Sequence, residues 1–399
     1  MKLIDVAEFY SEQGGGVKTY IHQKLEAGSR FGVKTIIVAP GAEDRREERG
    51  AGTIIWVKAP RIPVDHRYHI FNKIAPILQV LDEEKPDVVE GSSPWIGGKA
   101  VAKWQTDAAK SFFIHQEPVS SYPQLLLENV LKPSQVDWLF GWFWRYWRNL
   151  SSAYDTSIVS SKWLADRFEG LGVRRPTVVP FGIDKSLFSP SLRNEEVRRE
   201  MLAACGISDP NAPLILSISR HHPEKRIGTM IDAADKLNRK RPVGLYIIGD
   251  GPRRKAVEKH ASKVPAVHVA GQIADRQRIA TMLASADAMV HCCASETYGL
   301  VIAEALCSGL PLIVPDRGGA FDLSAPDYAE SHKVGDADAC AAAIERLLDR
   351  PQEPLRAAAA AAGKTIREPA DHFEHLFRHY AEVAEKKRAG TAEKSPEGQ

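Results

Sequence analysis

The chain has 399 residues, of which 44% are hydrophobic and 26% are charged, with 29 glycines and 25 prolines. This is ordinary globular composition, which excludes disordered, collagen-like and coiled-coil proteins. The 53 Lys and Arg residues nearly balance the 51 Asp and Glu residues, so the basic excess of a nucleic-acid-binding protein is missing. The five cysteines lack the paired spacing of metal motifs, and neither a leader peptide nor a long apolar run is recognisable. These features predict a cytoplasmic protein with buried thiols.

Short apolar runs alternate with amphipathic stretches through the first 180 residues. Such alternation is typical of βαβ units around a parallel sheet. The pattern predicts helices at Val17–Ser29, His69–Leu81 and Ser161–Gly170. The predicted strands are Met1–Val6, Thr35–Ala39, Thr53–Val57, Asp87–Val89, Phe112–His115, Thr156–Ser160 and Thr177–Pro180.

A second α/β series follows a break at Gly182–Pro190. Its predicted strands are Leu214–Ser219, Gly244–Gly249, Ala266–Ala270, Ala288–His291 and Pro311–Pro315, and its helices include Ile227–Asn238 and Gln277–Ser285. We therefore expect two Rossmann-like, doubly wound domains facing across a cleft. The expected boundaries are 1–183 for the N-terminal domain, 184–212 for a linker and 213–370 for the C-terminal domain. Residues 371–399 should form a helix, His372–Glu385, that returns to the N-terminal domain, and a frayed tail, Lys386–Gln399.

Two carboxylates separated by seven residues mark the most informative segment. Glu296 lies in the loop after the strand Ala288–His291, and Glu304 lies in a helix predicted at Gly299–Ser308. Because that helix is otherwise apolar, Glu304 should be buried and should need a cation or a ligand hydroxyl pair as its partner. The free N–H groups at the start of the helix favour an anionic ligand. A buried glutamate satisfied by backbone or by arginine is the structural alternative.

Two further loops lie at carboxyl ends of predicted strands. Arg220 and Lys225 follow the strand Leu214–Ser219, where two cations could clamp a diphosphate, although a solvated basic loop has the same pattern. Gly15 and Gly16, in a three-glycine run before the first helix, allow close backbone approach to a ligand or simply a flexible turn. The run is not G-x-G-x-x-G, so dinucleotide binding is only weakly supported.

Together these segments resemble the family-4 retaining glycosyltransferases of the GT-B fold. The resemblance covers nearly the whole chain and depends most on the glutamate pair. Further matching segments are Gly15–Val17, His115 after its strand, Ser160–Trp163, Pro180–Asp184 and Ile248–Pro252. The family usually has glycine where Ser219 and Arg226 stand and phenylalanine where Tyr298 stands, which affects loop detail.

The resemblance implies a role for each matching residue. Arg220 and Lys225 would hold the donor diphosphate, Glu296 the transferred sugar and Glu304 the ribose, with His115 near the sugar and the acceptor. Backbone contacts to the donor are implied for Gly15, Gly16, Tyr298, Gly299 and Leu300.

The mechanism ascribed to this family is front-face attack, which needs no protein nucleophile. Electrostatic stabilisation of the leaving phosphate would supply the catalysis, and we expect no metal site and no cofactor beyond the nucleotide sugar. Asp336-Ala337-Asp338 fits a metal-binding D-x-D by letter, but it precedes the helical stretch Ala339–Asp349. Asp336 is therefore expected to be a helix N-cap.

The nucleotide base is expected to contact the loop of Gly271, Ile273 and Asp275, which resembles that of some GDP-mannose-dependent mannosyltransferases. A carboxylate at Asp275 could accept hydrogen bonds from the N1–H and the 2-amino group of guanine, whereas uracil offers one ring N–H between two acceptors. GDP-mannose is thus favoured over a UDP-hexose. The alternative for Asp275 is a solvent-facing residue in a turn.

The acceptor is assigned to the N-terminal domain, where an aromatic segment is the unusual feature. Drawn as one helix, it has a broad apolar face comprising Val136, Leu139, Phe140, Phe143, Tyr146, Trp147 and Leu150. Trp138 and Trp142 fall on the polar side, near Arg145. Exposed tryptophans beside arginines suit a membrane interface or a sugar platform. We hypothesise a glycan or lipid-linked acceptor and peripheral contact with the inner face of the cell membrane.

The sequence also allows other functions of the same fold to be considered. A phosphorylase would need a pyridoxal-phosphate lysine, for which the sequence offers no convincing site. A sugar-nucleotide 2-epimerase would use a UDP-sugar without an acceptor. A non-catalytic nucleotide-sugar-binding protein would not need the complete set of Arg220, Lys225, Glu296 and Glu304.

Overall fold

The structure is a computed structural model that describes residues 1–12, 16–62, 65–128 and 130–392. The chain divides into two compact units. Unit 1 comprises Met1–Gln116, Asp137–Pro180 and Pro369–Gln399, and unit 2 comprises Glu117–Val136 and Phe181–Glu368.

Unit 1 is built on a mostly parallel sheet. Its strands are β1 (Lys2–Val6), β2 (Lys34–Gly41), β3 (Arg45–Arg49), β4 (Gly52–Lys58), β5 (Arg61–Ile62), β6 (Asp65–His69), β7 (Val88–Gly91), β8 (Ala109–Ile114), β9 (Thr156–Val159) and β10 (Thr177–Val178). Eight strands form one sheet in the order β10-β9-β8-β7-β1-β2-β4-β3, in which only the β3–β4 pair is antiparallel. β5 and β6 pair separately. The central strands β7 and β8 are buried throughout, as parallel strands covered on both faces must be.

Unit 2 contains an all-parallel sheet in the order β13-β12-β11-β14-β15-β16. Its strands are β11 (Leu214–Ile218), β12 (Gly244–Ile248), β13 (Val267–Gly271), β14 (Ala288–Val290), β15 (Leu312–Pro315) and β16 (Ala329–His332). Neighbouring residues of β11 enter different core clusters, Leu214 and Leu216 in one and Ile215 in the other. Since successive side chains of a strand point to opposite faces, unit 2 has a packed core on each side of its sheet.

Helices connect the strands in both units. They are α1 (Gly16–Arg30), α2 (Ala75–Glu84), α3 (Ile96–Lys103), α4 (Pro118–Ser121), α5 (Pro123–Leu127), α6 (Pro133–Leu139), α7 (Gly141–Ser152), α8 (Lys162–Gly170), α9 (Glu195–Ala204), α10 (Ile227–Asn238), α11 (Arg254–Ala261), α12 (Arg276–Ser285), α13 (Leu300–Cys307), α14 (Gly319–Asp322), α15 (Ala337–Leu348), α16 (Gln352–Thr365) and α17 (Pro369–Ala392), with short 3₁₀ helices at Pro190–Leu192 and Pro223–Lys225. Among the described residues, no helix is both long and apolar enough to cross a bilayer.

The prediction of two α/β domains with parallel sheets is confirmed, but several element boundaries were wrong. The helix expected at His69–Leu81 begins only at Ala75, followed by Pro76 in its first turn, where proline is well tolerated. β3 was missed because its sequence, RREER, is charged and half exposed, which no apolar pattern can reveal. The expected frayed tail is helical as far as Ala392, and residues 393–399 lie outside the described part of the chain.

The aromatic segment is two helices, not the single helix expected. α6 ends at Leu139 and α7 begins at Gly141, with Phe140 outside helical geometry. The break changes the face on which each side chain lies, so Leu139 is 51% exposed while Trp144 is buried. The prediction of one apolar face is therefore wrong at Leu139, and it did not include the buried Trp144.

Residues 184–212, expected to be a linker, lie within unit 2. The helix α9 starts at an Asn194 cap, whose side chain accepts hydrogen bonds from two backbone N–H groups, and it buries Val197, Met201 and Leu202 in a core cluster. A segment that contributes this much apolar surface to a core is part of the folded unit.

The C-terminal helix α17 packs within unit 1. Its residues Phe373, Phe377 and Tyr380 are buried, and the Tyr380 hydroxyl donates a hydrogen bond to the Glu90 carboxylate of β7. Glu90 also receives Lys24 Nζ at 2.9 Å. The helix α17 thus contributes both apolar packing and a buried polar contact to the first unit.

Candidate functional site

The loop after β14 brings Glu296 into contact with the cationic loop after β11. Lys225 Nζ lies 2.7 Å from Glu296 Oε2, and His291 Nε2 lies 3.5 Å from the same oxygen. Both strands are neighbours in the sheet, so the loops at their carboxyl ends meet at one edge. The sequence placed Glu296 and Lys225 on this edge but did not identify His291, which ends the apolar run.

Charge pairing dominates the electrostatics of this contact. Burial opposes ionisation of Glu296, but Lys225 and His291 outweigh it and hold the pKa of the carboxyl well below its usual range. Burial likewise opposes the charge on Lys225, yet Glu296 and the Cys293 thiol raise the pKa of the lysine above its ordinary value. Lys225 and Glu296 are therefore a charged pair at neutral pH.

Arg220 lies in the same loop and is exposed. Within the part of the chain that the structure describes, its side chain has no hydrogen-bond or ion-pair partner. The loop is held by close packing against Gly249, where a Cβ atom would come 1.8 Å from the Ser219 carbonyl oxygen. Glycine is required there, because any side chain would displace the backbone that presents Arg220.

The helix α13 begins next to Glu296. Gly299 caps it with φ of +92°, a conformation that favours glycine. Because the helical hydrogen bonds begin at the N–H groups of Ile302 and Ala303, the N–H groups of Leu300 and Val301 have no acceptor within the helix. The Tyr298 side chain is buried, and its hydroxyl donates a hydrogen bond to the Phe181 carbonyl oxygen at 3.1 Å. The start of α13 can therefore bind an anion through backbone groups.

Glu304 is buried, with 8% of its surface exposed, as its apolar helix predicts. Its partner is Arg276, whose Nη2 lies 2.6 Å from Glu304 Oε1. Burial raises the pKa of Glu304, and Arg276 acts in the opposite direction. Sequence reasoning listed arginine as one way to satisfy this carboxylate but did not identify Arg276, which lies far away in the sequence at the start of α12.

The expected base-contacting loop has a local structural role. Gly271 ends β13 with φ of +77°, and Ile273 packs against the core of unit 2. Asp275 is the N-cap of α12, and its Oδ1 accepts hydrogen bonds from the N–H groups of Gln277 and Arg278. One carboxylate oxygen is therefore already occupied by the helix.

The D-x-D segment behaves as expected from its position. Asp336 caps α15 by accepting a hydrogen bond from the Ala339 N–H at 2.9 Å, so the N-cap prediction is confirmed. Asp338 forms an ion pair with Lys236. The two carboxylates are thus engaged in separate contacts.

The remaining candidate residues belong to unit 1. His115 follows β8 and stacks on Phe113, with ring centroids 4.3 Å apart. Burial, with nearby Lys24 and His372, lowers the pKa of His115 to about 3, so its imidazole is neutral. Gly16 is the first residue of α1, whereas Gly15 lies outside the described residues.

The two tryptophans expected on a polar surface are exposed, at 82% for Trp138 and 65% for Trp142. Arg145, one turn further along α7, is exposed as well. The exposure prediction is confirmed for these three side chains.

The comparisons with known proteins agree with this geometry. Residues 206–365 match the family model "Glycosyl transferases group 1", and residues 14–187 match "Glycosyltransferase Family 4". Between them the two models cover most of the chain. This chain belongs to glycosyltransferase family 4. Expectations of a GT-B fold and of a hexosyltransferase are thereby confirmed.

Several related proteins can be aligned with most of this chain. A GDP-mannose-dependent α-(1-6)-phosphatidylinositol dimannoside mannosyltransferase from Mycobacterium tuberculosis is 26% identical over 361 residues, covering 89% of this chain and 90% of the relative. A GDP-mannose-dependent α-mannosyltransferase from Corynebacterium glutamicum is 25% identical, covering 96% and 89%. Among solved structures, sucrose-phosphate synthase from Thermosynechococcus elongatus superposes with a TM-score of 0.74 at 18% identity, covering 96% and 98%. That structural likeness shows the fold.

Proposed function

We propose that the enzyme is a retaining mannosyltransferase that moves mannose from GDP-mannose to a glycan or lipid-linked acceptor in envelope polysaccharide or glycolipid synthesis. The observation that carries the reaction type is the Lys225–Glu296 pair beside the start of α13. The choice of donor is supported by relatives that span most of the chain and are named GDP-mannose-dependent mannosyltransferases.

In the proposed reaction the protein supplies charge stabilisation. Arg220, Lys225 and the first N–H groups of α13 hold the departing diphosphate, and Glu296 accepts hydrogen bonds from sugar hydroxyls. The bond from the anomeric carbon to phosphate breaks while the bond to the acceptor oxygen forms on the same face. The acceptor hydroxyl proton passes to the leaving phosphate oxygen. His115, in unit 1, has a neutral imidazole that can donate or accept one hydrogen bond without adding charge.

The diphosphate must compete for Lys225. In the absence of donor the lysine is paired with Glu296 at 2.7 Å, whereas Arg220 is exposed and has no described partner. We infer that Arg220 makes the first contact with an incoming diphosphate and that Lys225 then shares its charge between phosphate and Glu296. Because these two cations neutralise the diphosphate, we propose that transfer needs no divalent metal.

A membrane-facing role for unit 1 is proposed from Trp138, Trp142 and Arg145. Each ring would contribute about 1–3 kcal/mol at a lipid interface, the general worth of burying a large apolar side chain, and Arg145 would favour anionic lipids. This is enough for reversible binding at the inner membrane face, where a lipid-linked acceptor would be found.

Vesicle sedimentation tests this proposal. Wild-type protein should sediment with anionic vesicles, and the Trp138→Ala/Trp142→Ala variant should remain in the supernatant with unchanged thermal stability. The matched control is Leu126→Ala/Val130→Ala, which removes two similarly exposed apolar side chains. If the tryptophan variant binds vesicles normally but loses transfer, the two rings serve the acceptor and the membrane role is wrong.

The donor is tested by calorimetry with GDP and UDP. Asp275→Asn removes the charge while keeping a side chain that can cap α12, so a role in reading guanine predicts a larger loss for GDP than for UDP. Asp336→Asn, at the cap of α15, is the control. Tighter binding of UDP than of GDP by the wild type would overturn the donor assignment.

A UDP-hexose is the second candidate donor. It is favoured by the capping role of Asp275, because a carboxylate oxygen that already accepts two backbone hydrogen bonds is less available to guanine. Turnover with UDP-glucose but not with GDP-mannose would establish this alternative and leave the transferase class unchanged.

A further inference from the structure

A group of buried cysteine and histidine side chains lies within unit 2, close to but separate from the Lys225–Glu296 pair. Cys292 follows β14, His332 ends β16 and Cys340 lies in the first turn of α15, with exposed fractions of 0%, 3% and 0%. Their ligand atoms all lie within 4.8 Å of one another. Sequence spacing does not reveal the group, because its members come from three different elements.

The distances between these atoms match those of a tetrahedral metal site. Cys292 Sγ lies 4.0 Å from Cys340 Sγ and 3.6 Å from His332 Nε2. For zinc bonded to sulfur at about 2.3 Å and to nitrogen at about 2.0 Å, tetrahedral geometry places two ligand sulfurs about 3.8 Å apart and sulfur and nitrogen about 3.5 Å apart. The side chains therefore already stand at nearly the required separations.

The orientation of His332 also fits a metal ligand. Its Nδ1 lies 3.0 Å from the Lys333 carbonyl oxygen, so a ring that carries its proton on Nδ1 can donate that N–H to the carbonyl. This tautomer leaves the Nε2 lone pair directed toward Cys292. A backbone carbonyl that fixes the tautomer in this way is the usual outer partner of a metal-bound histidine.

A fourth donor atom comes from the backbone. In the parallel register of β14 with β15, His291 N–H bonds to the Ile313 carbonyl, so the group facing the His291 carbonyl would be the N–H of residue 315. That residue is proline, which has no N–H. The His291 carbonyl oxygen lies 3.3 Å from His332 Nε2. Without a metal, a ring protonated on Nε2 can donate to this oxygen; with the proton on Nδ1, the Nε2 lone pair and the carbonyl oxygen can both bind one cation.

We propose that Cys292, Cys340, His332 and the His291 carbonyl oxygen form a structural Zn²⁺ site in unit 2. Zinc binding would release the two thiol protons to solvent and form two zinc–thiolate bonds. The ion would tie the ends of β14 and β16 to α15. Its role is structural, and it takes no part in holding the diphosphate. It was not expected from the sequence, which lacks the paired cysteine spacing of known zinc motifs.

Metal analysis of the whole protein tests the site. Protein expressed with added zinc and freed of loosely bound metal by a brief chelator wash should contain about one Zn²⁺ per chain. Cys340→Ala should lose that zinc, whereas the control Cys307→Ala, which removes another buried thiol of the same unit, should keep it. Protein refolded with Co²⁺ should show a thiolate-to-cobalt charge-transfer band and the visible bands of tetrahedral cobalt.

The outcomes separate the alternatives even if a variant fails to fold, because zinc content and the cobalt spectrum are measured on the wild type. Folded wild-type protein without zinc after expression in zinc-supplemented medium would overturn the proposal. So would a count of three free thiols under denaturing conditions instead of five, with peptide mapping that identifies a Cys292–Cys340 disulfide. Zinc retained equally by Cys340→Ala would place the ion elsewhere.

Discussion

The pairing of Lys225 with Glu296 predicts opposite effects on binding and on turnover when the carboxylate is neutralised. In Glu296→Gln the lysine loses its partner at 2.7 Å and becomes available to a phosphate. A hydrogen bond to a charged group contributes about 1.5–3 kcal/mol, and the pair is one-fifth exposed, so the lower end applies. Since about 1.4 kcal/mol corresponds to a factor of ten, GDP should bind Glu296→Gln up to about ten times more tightly than it binds the wild type.

Transfer should nevertheless fall in the same variant. Glutamine lacks the charge that would organise sugar hydroxyls in the transition state, so turnover should drop by at least about tenfold, the effect of one such contact. Lys225→Ala should weaken GDP binding and lower turnover together. The assay combines calorimetric titration of GDP with mass-spectrometric detection of transfer to a lipid extract.

The matched control is Glu128→Gln, which removes the carboxylate partner of the adjacent Arg226 and leaves Lys225 paired. Its GDP affinity should change by less than that of Glu296→Gln. The reasoning is refuted if Glu296→Gln weakens GDP binding as much as Lys225→Ala does, because Glu296 would then support the nucleotide instead of competing with it.

Three further predictions concern other parts of the structure. Glu304→Ala should weaken GDP binding about tenfold, since a ribose hydroxyl pair loses its charged acceptor, and equal affinity would remove Glu304 from the donor site. Transfer should survive a brief treatment with excess EDTA, and complete loss that Mg²⁺ or Mn²⁺ restores would contradict the cationic clamp. Burial beside Asp5 raises the pKa of Glu90 to about 7, so the folded protein holds a proton on Glu90 more tightly than the unfolded chain does. The free energy of unfolding gained from this proton, at most about 3 kcal/mol, should be lost as the pH rises from about 5 to 7.5. The melting temperature should fall over that range in the wild type and less steeply in Glu90→Gln; an equally steep fall in both would exclude Glu90 as the cause.

Much of the fold could be predicted because parallel strands are buried on both faces and appear as short apolar runs. The same logic placed Glu296 and Lys225 at one edge of a sheet, since β11 and β14 are both apolar and are followed by charged loops. Elements whose stability does not depend on apolar pattern were missed. β3 is a charged edge strand, and the start of α2 depends on a proline and not on periodicity.

Contacts between distant segments were the least predictable part of the site. The partner of Glu304 is Arg276, 28 positions away, and nothing in either local sequence specifies that contact. Phe140 interrupts a stretch whose pattern predicts one continuous amphipathic helix. A single helical wheel therefore placed Leu139 incorrectly and left Trp144 unassigned, while it placed Trp138 and Trp142 correctly. The role of Asp275 could not be predicted for a different reason. A carboxylate at the start of a helix suits both an N-cap and a ligand contact, so its position in the sequence does not distinguish the two.

The position of α17 has a consequence for synthesis of the protein. Unit 1 combines strands that lie before residue 180 with α17, and Phe373, Phe377 and Tyr380 complete a core whose strands are translated about 190 or more residues earlier. While the ribosome is still making unit 2, the surface around Glu90 and Lys24 lacks its covering helix. The first unit to leave the ribosome is therefore the last to finish folding, and a fragment that ends at Pro180 would remain in this incomplete state.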